Sequence, residues 1–250
     1  TVIVAPAGFG KSALMRAWGS TLGPSTVTAA GTFDAFHQTN ALDAGLVLTD
    51  LSRMLGVEEA RLKETLALIH GDGTELGREF IRALGAALAA LPHPFVCFLD
   101  DLQALRADVV SDVGRLLSST ADSRHRFVVA SRTRPAWPVQ RWRVSGLADV
   151  VSADELLLTS DDIAALLAPE FAHLAPRAWE VTGGWAAAVA TLRWRLHAVP
   201  TLDLNDAVVD LADYVIAEVL SVLEPRDMQM LSRTSILDAF PESVAVAVSG

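Results

Sequence analysis

Cysteine occurs once in the 250 residues, at Cys97, so no disulfide can form within the chain. A reducing compartment is the economical reading of that usage. Lysine is almost as scarce: Lys11 and Lys63 are the only two. Basic residues number 20 against 30 acidic ones, for a formal charge of −10. That balance is unfavourable for non-specific nucleic-acid binding, where clustered Lys and Arg must meet phosphates. A nucleic-acid-binding domain elsewhere in a longer protein would not register in it. No apolar run reaches the roughly 18 residues of a membrane span, so no membrane partner and a cytoplasmic location are expected. The opening TVIVAPAGFGKS has neither the basic start nor the cleavage signature of a secretory signal. His37, His70, His93, His125, His173 and His197 show no ligand-like spacing, which argues against zinc. The chain opens inside an apolar strand without an initiator methionine, and it stops in FPESVAVAVSG midway through a helical pattern. We expect a fragment cut at both ends.

What is present is a globular composition, 51% hydrophobic and 20% charged, long enough to bury a sizeable core in one or two domains. Residues 2–5 form a short apolar run and 12–22 a helical pattern; 25–36 hold a poorer apolar run, a weak strand candidate. Helical spacing recurs at 41–55, 58–69 and 75–91, with a turn at Gly71-Asp72-Gly73 and a stop at Pro92 and Pro94. FVCFLDD (95–101) and RFVVASR (126–132) read as buried strands, with a helix at 108–120 between them. Continuous apolar strands alternating with helices predict an α/β domain, a parallel sheet with helices on both faces, to about residue 155. Beyond it strand signals fade. Thr159-Ser160-Asp161-Asp162 supplies cap candidates for a helix at 161–168, and further helices fit 174–182, 184–197, 206–223 and 225–234. We expect a second, all-helical subdomain from about 155 to 250.

The stretch APAGFGKS, Ala5 to Ser12, lies between the first strand and the first helix. It departs from the phosphate-loop pattern G-x-x-x-x-G-K-[ST] only at Ala5. In such a loop successive backbone N–H groups line a concavity for phosphate oxygens, aided by the positive end of the following helix. The candidate nucleotide-binding residues are therefore Ala5, Pro6, Ala7, Gly8, Phe9, Gly10, Lys11, Ser12 and Ala13. Gly8 and Gly10 would permit the backbone geometry, Lys11 would reach the β- and γ-phosphates, and the Ser12 hydroxyl would ligate Mg²⁺. Alanine is tolerable at position 5 where φ is negative.

Asp100 and Asp101 end a buried strand, at the sheet edge where open α/β folds bind ligands. Asp100 would hold Mg²⁺, through water, and Asp101 would orient or activate the attacking water, so Asp101 and the phosphate-contacting Lys11 are the catalytic candidates. Solvated loop carboxylates are the competing reading. Arg132, at the end of VVASR, would reach a γ-phosphate; Arg134 and a surface ion pair compete for that assignment. Cys97 reads as core, and Trp179, Trp185 and Trp194 as helix packing. RWRV at 141–144 is too short for a nucleic-acid surface.

With these motifs in view the chain resembles the ATPase module of MalT-like regulators. These belong to the STAND class of signal-transduction ATPases, many of them large LuxR-type transcription activators. APAGFGKSALMRAW is similar to the family's PAGYGKTTL loop, whose first position is commonly not glycine. FVCFLDDLQAL resembles its Walker B strand, VVASRTRP its S-R-x-x-P sensor strand, and SADELLLTSDDIAALL the linker and helix after the sensor. VTGGWAAAVATL resembles the G-G-W-[PA]-A-A-L segment that approaches adenine in the class. DYVIAEVLSVLEPRDMQMLSRTSILDAF resembles the start of a winged-helix domain, which implies domains at 1–155 (P-loop nucleotide-binding), 156–223 (helical) and 224–250 (beginning of the winged helix). Leu102-Gln103 stands where Tyr-His is typical, and Ala186 where proline is often found. The W-x-x-L-D pattern near the second strand is missing.

The resemblance implies a switch: closed with ADP, opened and self-associating with ATP and an inducer, reset by slow Mg²⁺-dependent hydrolysis. The small-molecule inducer would bind a C-terminal sensor and DNA a C-terminal helix-turn-helix, both absent from this sequence. A winged-helix histidine clamping ADP would likewise fall beyond Gly250. A housekeeping P-loop ATPase or kinase, and a nucleotide-holding scaffold without hydrolysis, stay open as alternatives.

Overall fold

Five short parallel strands form one sheet in the order β2-β3-β4-β1-β5 in the computed structural model, which describes residues 1–33, 39–69, 75–120, 124–199, 204, 223 and 225–235. The strands are β1 (Val2–Val4), β2 (Val27–Thr32), β3 (Phe95–Asp100), β4 (Arg126–Ser131) and β5 (Val150–Val151). Helices α1 (Lys11–Thr21), α2 (Ala41–Met54), α3 (Glu59–Leu66), α4 (Arg78–Ala89), α5 (Ala107–Ser119) and α6 (Val139–Val144) connect them.

Alternation along β3 shows how the layers arise. Phe95, Cys97 and Leu99 turn to one face and join the larger core, which takes Leu48, Leu84 and Val113 from α2, α4 and α5. Val96 and Phe98 turn to the other face, where Ile3, Met15, Val128 and Ala130 complete a smaller core under α1. Both faces are covered, so the strands read as unbroken apolar runs instead of alternating ones. β2 is the exception because it lies at the sheet edge. Only Ala29 of its six residues is buried, which explains its weak apolar signal.

Strand order decides what meets at the carboxyl edge. β4 lies between β1 and β3, pairing Val4 with Ser131 and Leu99 with Val129. The loop after β1 and the acidic end of β3 therefore flank the exit of β4. On the far side, β2 brings Thr32 opposite Asp100.

Two short elements escaped the sequence reading. β5 is two residues long, too short to show a period. RWRV belongs to α6, where Trp142 packs on Trp137 with ring centroids 5.8 Å apart.

The chain divides into two compact units, Thr1–Leu157 and Leu158–Gly250. In the second, α7 (Ser160–Leu166), α8 (Ala175–Thr182) and α9 (Ala186–Ala198) surround a core that includes Ile163, Ala178, Val189 and Leu192. Thr159 caps α7: its hydroxyl accepts from the Asp162 amide at 3.2 Å, and the Asp162 carboxylate accepts from the Thr159 amide at 2.9 Å. Gly184 has φ +78°, and a Cβ there would lie 2.3 Å from the Leu158 carbonyl oxygen. Close backbone approach thus requires glycine in the GGW segment.

The tryptophans correct one expectation. Trp179 and Trp194 are 46% and 66% exposed, so among the described residues they do not fill a helix interface, whereas Trp185 is half-buried. α9 buries Ala188, Val189, Leu192 and Leu196, one stripe at helical spacing, and Trp194 stands outside it. A last helix, α10 (Pro225–Thr234), is described alone. The expected turn at 71–73, the helix at 206–223 and most of the winged-helix start lie outside the described residues.

Candidate functional site

The loop between β1 and α1 has the backbone its composition calls for. Gly8 and Gly10 both adopt positive φ, +77° and +81°, and Gly10 is the residue before the first turn of α1. An L side chain at either would be strained. Asp101 is the one non-glycine residue with positive φ among the described residues, so Ala5 stands in ordinary backbone. The Ala5 side chain is buried, and its amide donates to the Ser131 carbonyl at 3.2 Å, fastening the loop to the end of β4.

Lys11 opens α1 and folds back under the loop. Its Nζ donates to the carbonyls of Ala5 and Pro6, each at 2.8 Å, and the residue is only 7% exposed. Burial pushes the ammonium below the ordinary lysine value; Asp100 opposes that shift, Arg132 adds to it and Asp101 opposes it. A positive charge is thus held inside a ring of loop backbone with no carboxylate hydrogen-bonded to it. The arrangement attracts an anion.

Ser12 follows on α1, and its Oγ donates to Oδ2 of Asp100. The period of two along β3 explains the meeting. Val96, Phe98 and Asp100 share the α1 face, so the last residue of the strand points at the first turn of the helix. A hydroxyl and a carboxylate on adjacent elements are oxygen donors suited to Mg²⁺, a hard cation.

Asp101 breaks the alternation with φ 55° and ψ 41°. Its Oδ2 accepts from Thr32 Oγ1 at 3.2 Å and its Oδ1 from Gln103 Nε2 at 2.7 Å. Gln103 Oε1 in turn accepts from the Arg132 amide at 2.8 Å. Behind Arg132, the Trp137 indole donates to the Val110 carbonyl at 2.7 Å, tying the segment after β4 to α5.

The candidates from Ala5 to Ser12, with Asp100, Asp101 and Arg132, therefore converge on one sheet edge. Ala13 lies on the exposed side of α1. Sequence reasoning missed Thr32 and Gln103. Thr32 had no signal, since only the β2–β3 register brings it to Asp101; Gln103 was visible two positions after Asp101 but carried no assigned part.

A cavity of about 550 Å³ adjoins this edge between α1 and β2, bordered by Ser12, Met15, Thr32, Phe98 and Asp100. Another, of about 490 Å³, opens at the opposite end of the strands around Thr1, Phe127 and Asp149. Cys97 is buried in β3 and its thiol is pushed up to about 12 by desolvation, so it is no nucleophile. No helix among the described residues is long and apolar enough to cross a membrane.

Comparison with known proteins agrees with this architecture. The chain is similar to a Walker-type ATPase, paby2304, of Pyrococcus abyssi, with a TM-score of 0.58 and 13% identity over 99% of this chain and 82% of that one. It is also similar to Cdc6p from Pyrobaculum aerophilum, with a TM-score of 0.50 and 16% identity over 98% of this chain and 63% of that one. At such identities the likeness speaks to the fold alone. No curated protein matches the chain significantly. The sequence pattern of the AAA ATPase domain matches residues 1–129, from the first strand through Lys11, Ser12, Asp100 and Asp101 into β4. The chain belongs to the AAA ATPase domain family.

Proposed function

We propose that this chain binds Mg·ATP at the Ala5–Ala13 loop and hydrolyses it slowly, as the nucleotide-dependent switch of a signal-responsive regulator. The observation that carries the reading is the buried Lys11 ammonium within a loop whose two glycines hold positive φ, next to the Ser12–Asp100 pair.

In this reading the backbone amides of the loop and Lys11 hold the phosphate oxygens, while Ser12 and Asp100 hold Mg²⁺, which neutralises charge on the phosphates. Asp101 accepts a proton from, or orients, a water beside the terminal phosphate. Arg132 approaches that phosphate from the end of β4. Both carboxylate and arginine sit at strand ends, so they are presented by rigid elements. A terminal phosphate would add contacts that a diphosphate lacks, which is the physical requirement for nucleotide state to favour one conformation over another. The finer assignment, a MalT-like regulator with inducer-dependent self-association, is supported by the motif order read in the sequence.

The test is to purify the chain, extract and identify any bound nucleotide, and measure phosphate release from added Mg·ATP alongside Asp101→Ala. Binding should persist in that variant, with hydrolysis lowered at least about 100-fold. A folded chain that ignores Mg·ATP would refute the proposal.

A further inference from the structure

We infer that Gln103 is a positioning residue that joins the Asp101 carboxylate to the end of β4, so that Asp101 and Arg132 adopt their working positions together. The inference rests on the hydrolytic reading above and assigns a role to a side chain which that reading does not use.

Asp101 needs holding. Its left-handed backbone is strained for a residue with a Cβ and persists because several bonds fix it. Its carbonyl accepts from the Ala104 amide at 2.9 Å, and its amide donates to Asp100 Oδ1 at 2.8 Å. Those bonds fix the backbone and leave the carboxylate free to rotate. The side-chain bonds decide where the carboxylate points. Gln103 Nε2, at 2.7 Å, is the closer of its two side-chain donors; Thr32 Oγ1 stands at 3.2 Å.

The other end of the same amide accepts the Arg132 N–H at 2.8 Å. This pair of partners defines the orientation of the glutamine. Flipped, its NH₂ would face the Arg132 N–H and its oxygen would face a carboxylate, two repulsive contacts in place of two bonds. One half-buried amide thus bonds both the residue that follows β3 and the residue that follows β4. Any displacement of the Arg132 backbone moves Gln103, and Gln103 carries Oδ1 of Asp101 with it. An arginine that senses the terminal phosphate and a carboxylate that handles the water would then be set in a single step.

No shorter residue does this. Asparagine lacks the methylene needed to reach both partners from a position two residues after Asp101. Glutamate keeps an acceptor for the Arg132 amide but sets carboxylate against carboxylate.

The experiment compares the unmodified chain with Gln103→Met and Gln103→Glu. It measures Mg·ATP affinity by calorimetry, phosphate release under saturating ATP, and thermal midpoint. Gln103→Met, which preserves volume and loses both bonds, should release phosphate about 10- to 100-fold more slowly. Its ATP affinity and midpoint should stay near those of the unmodified chain. Gln103→Glu should be at least as slow. Three results overturn the role: both variants hydrolysing at the unmodified rate, Gln103→Glu alone retaining it, or a loss confined to affinity and midpoint. An unmodified chain that binds Mg·ATP without hydrolysing it overturns the role and leaves nucleotide binding standing. A chain that binds none overturns the reading beneath it as well.

Discussion

Removing the Lys11 ammonium should weaken Mg·ATP binding by about three orders of magnitude, and the structure shows why the effect is large. One unit of phosphate charge about 4 Å from an ammonium gains about 4 kcal/mol at an effective dielectric of about 20. An exposed lysine would forfeit much of that gain by losing water on binding. Lys11 is already buried, 7% exposed, and its pKa is already depressed by desolvation, so little further desolvation accompanies the ligand. Nearly the whole attraction then goes into affinity, and about 4 kcal/mol is about a 10³-fold change in Kd. The variant is Lys11→Ala. The folded chain should tolerate it: Pro6 is exposed, so water can reach one of the carbonyls that Nζ now serves, and the cost of burying an ammonium disappears. Calorimetric titration with Mg·ATP, with a thermal melt as control for folding, measures the effect. A Kd within about tenfold of the unmodified chain, in a variant that melts normally, would refute the electrostatic argument and the loop assignment with it.

Three further outcomes follow from other parts of the first unit. Asp112 is fully buried, accepts from the Leu76 amide at 2.6 Å and pairs with Arg115, and desolvation raises its pKa above the ordinary 3.8. The folded state therefore holds the proton more tightly than the unfolded state, so this group's contribution to stability is full below about pH 3.8 and is lost as pH rises through the raised value. Asp112→Asn should flatten that pH dependence in urea melts while keeping an acceptor for Leu76; Asp112→Ala orphans a buried N–H and should cost about 1–3 kcal/mol. A Cβ at Gly114 would meet Trp137 Nε1 at 2.5 Å, so Gly114→Ala should cost about 1–3 kcal/mol and disturb the segment that carries Arg132. Its melting temperature and its ATP hydrolysis should fall together. An unchanged melt would show that Trp137 yields freely.

Local chemistry makes much of the molecule legible in its residue types alone. The loop Ala5–Ser12 announces itself because its function needs glycine backbone and one cation at set spacing, and both are properties of residue type. The strands ending at Asp100 and Ser131 are visible because a parallel strand covered on both faces must be apolar throughout. Thr159 and Asp162 read as a cap because the bonds they make span three residues.

Other features depend on which segments meet. Sequence spacing suggests packed tryptophans, yet Trp194 is two-thirds exposed and Trp179 nearly half, since an apolar residue on a helix is buried only where another element covers it. β2 looked poor because an edge strand needs no apolar outer face, and β5 was too short to leave a period.

The sequence by itself determined the loop, the alternation of strand and helix, and the carboxylates that end β3, since each follows from contacts between near neighbours. Only the tertiary structure decided that β4 lies between β1 and β3, that Ser12 meets Asp100, that Thr32 reaches Asp101 and that Gln103 ties Asp101 to Arg132. The Ser12–Asp100 and Thr32–Asp101 contacts span 88 and 69 residues of chain. Such pairings are set by strand order and register, and a pattern of residue types does not contain them until the sheet is assembled.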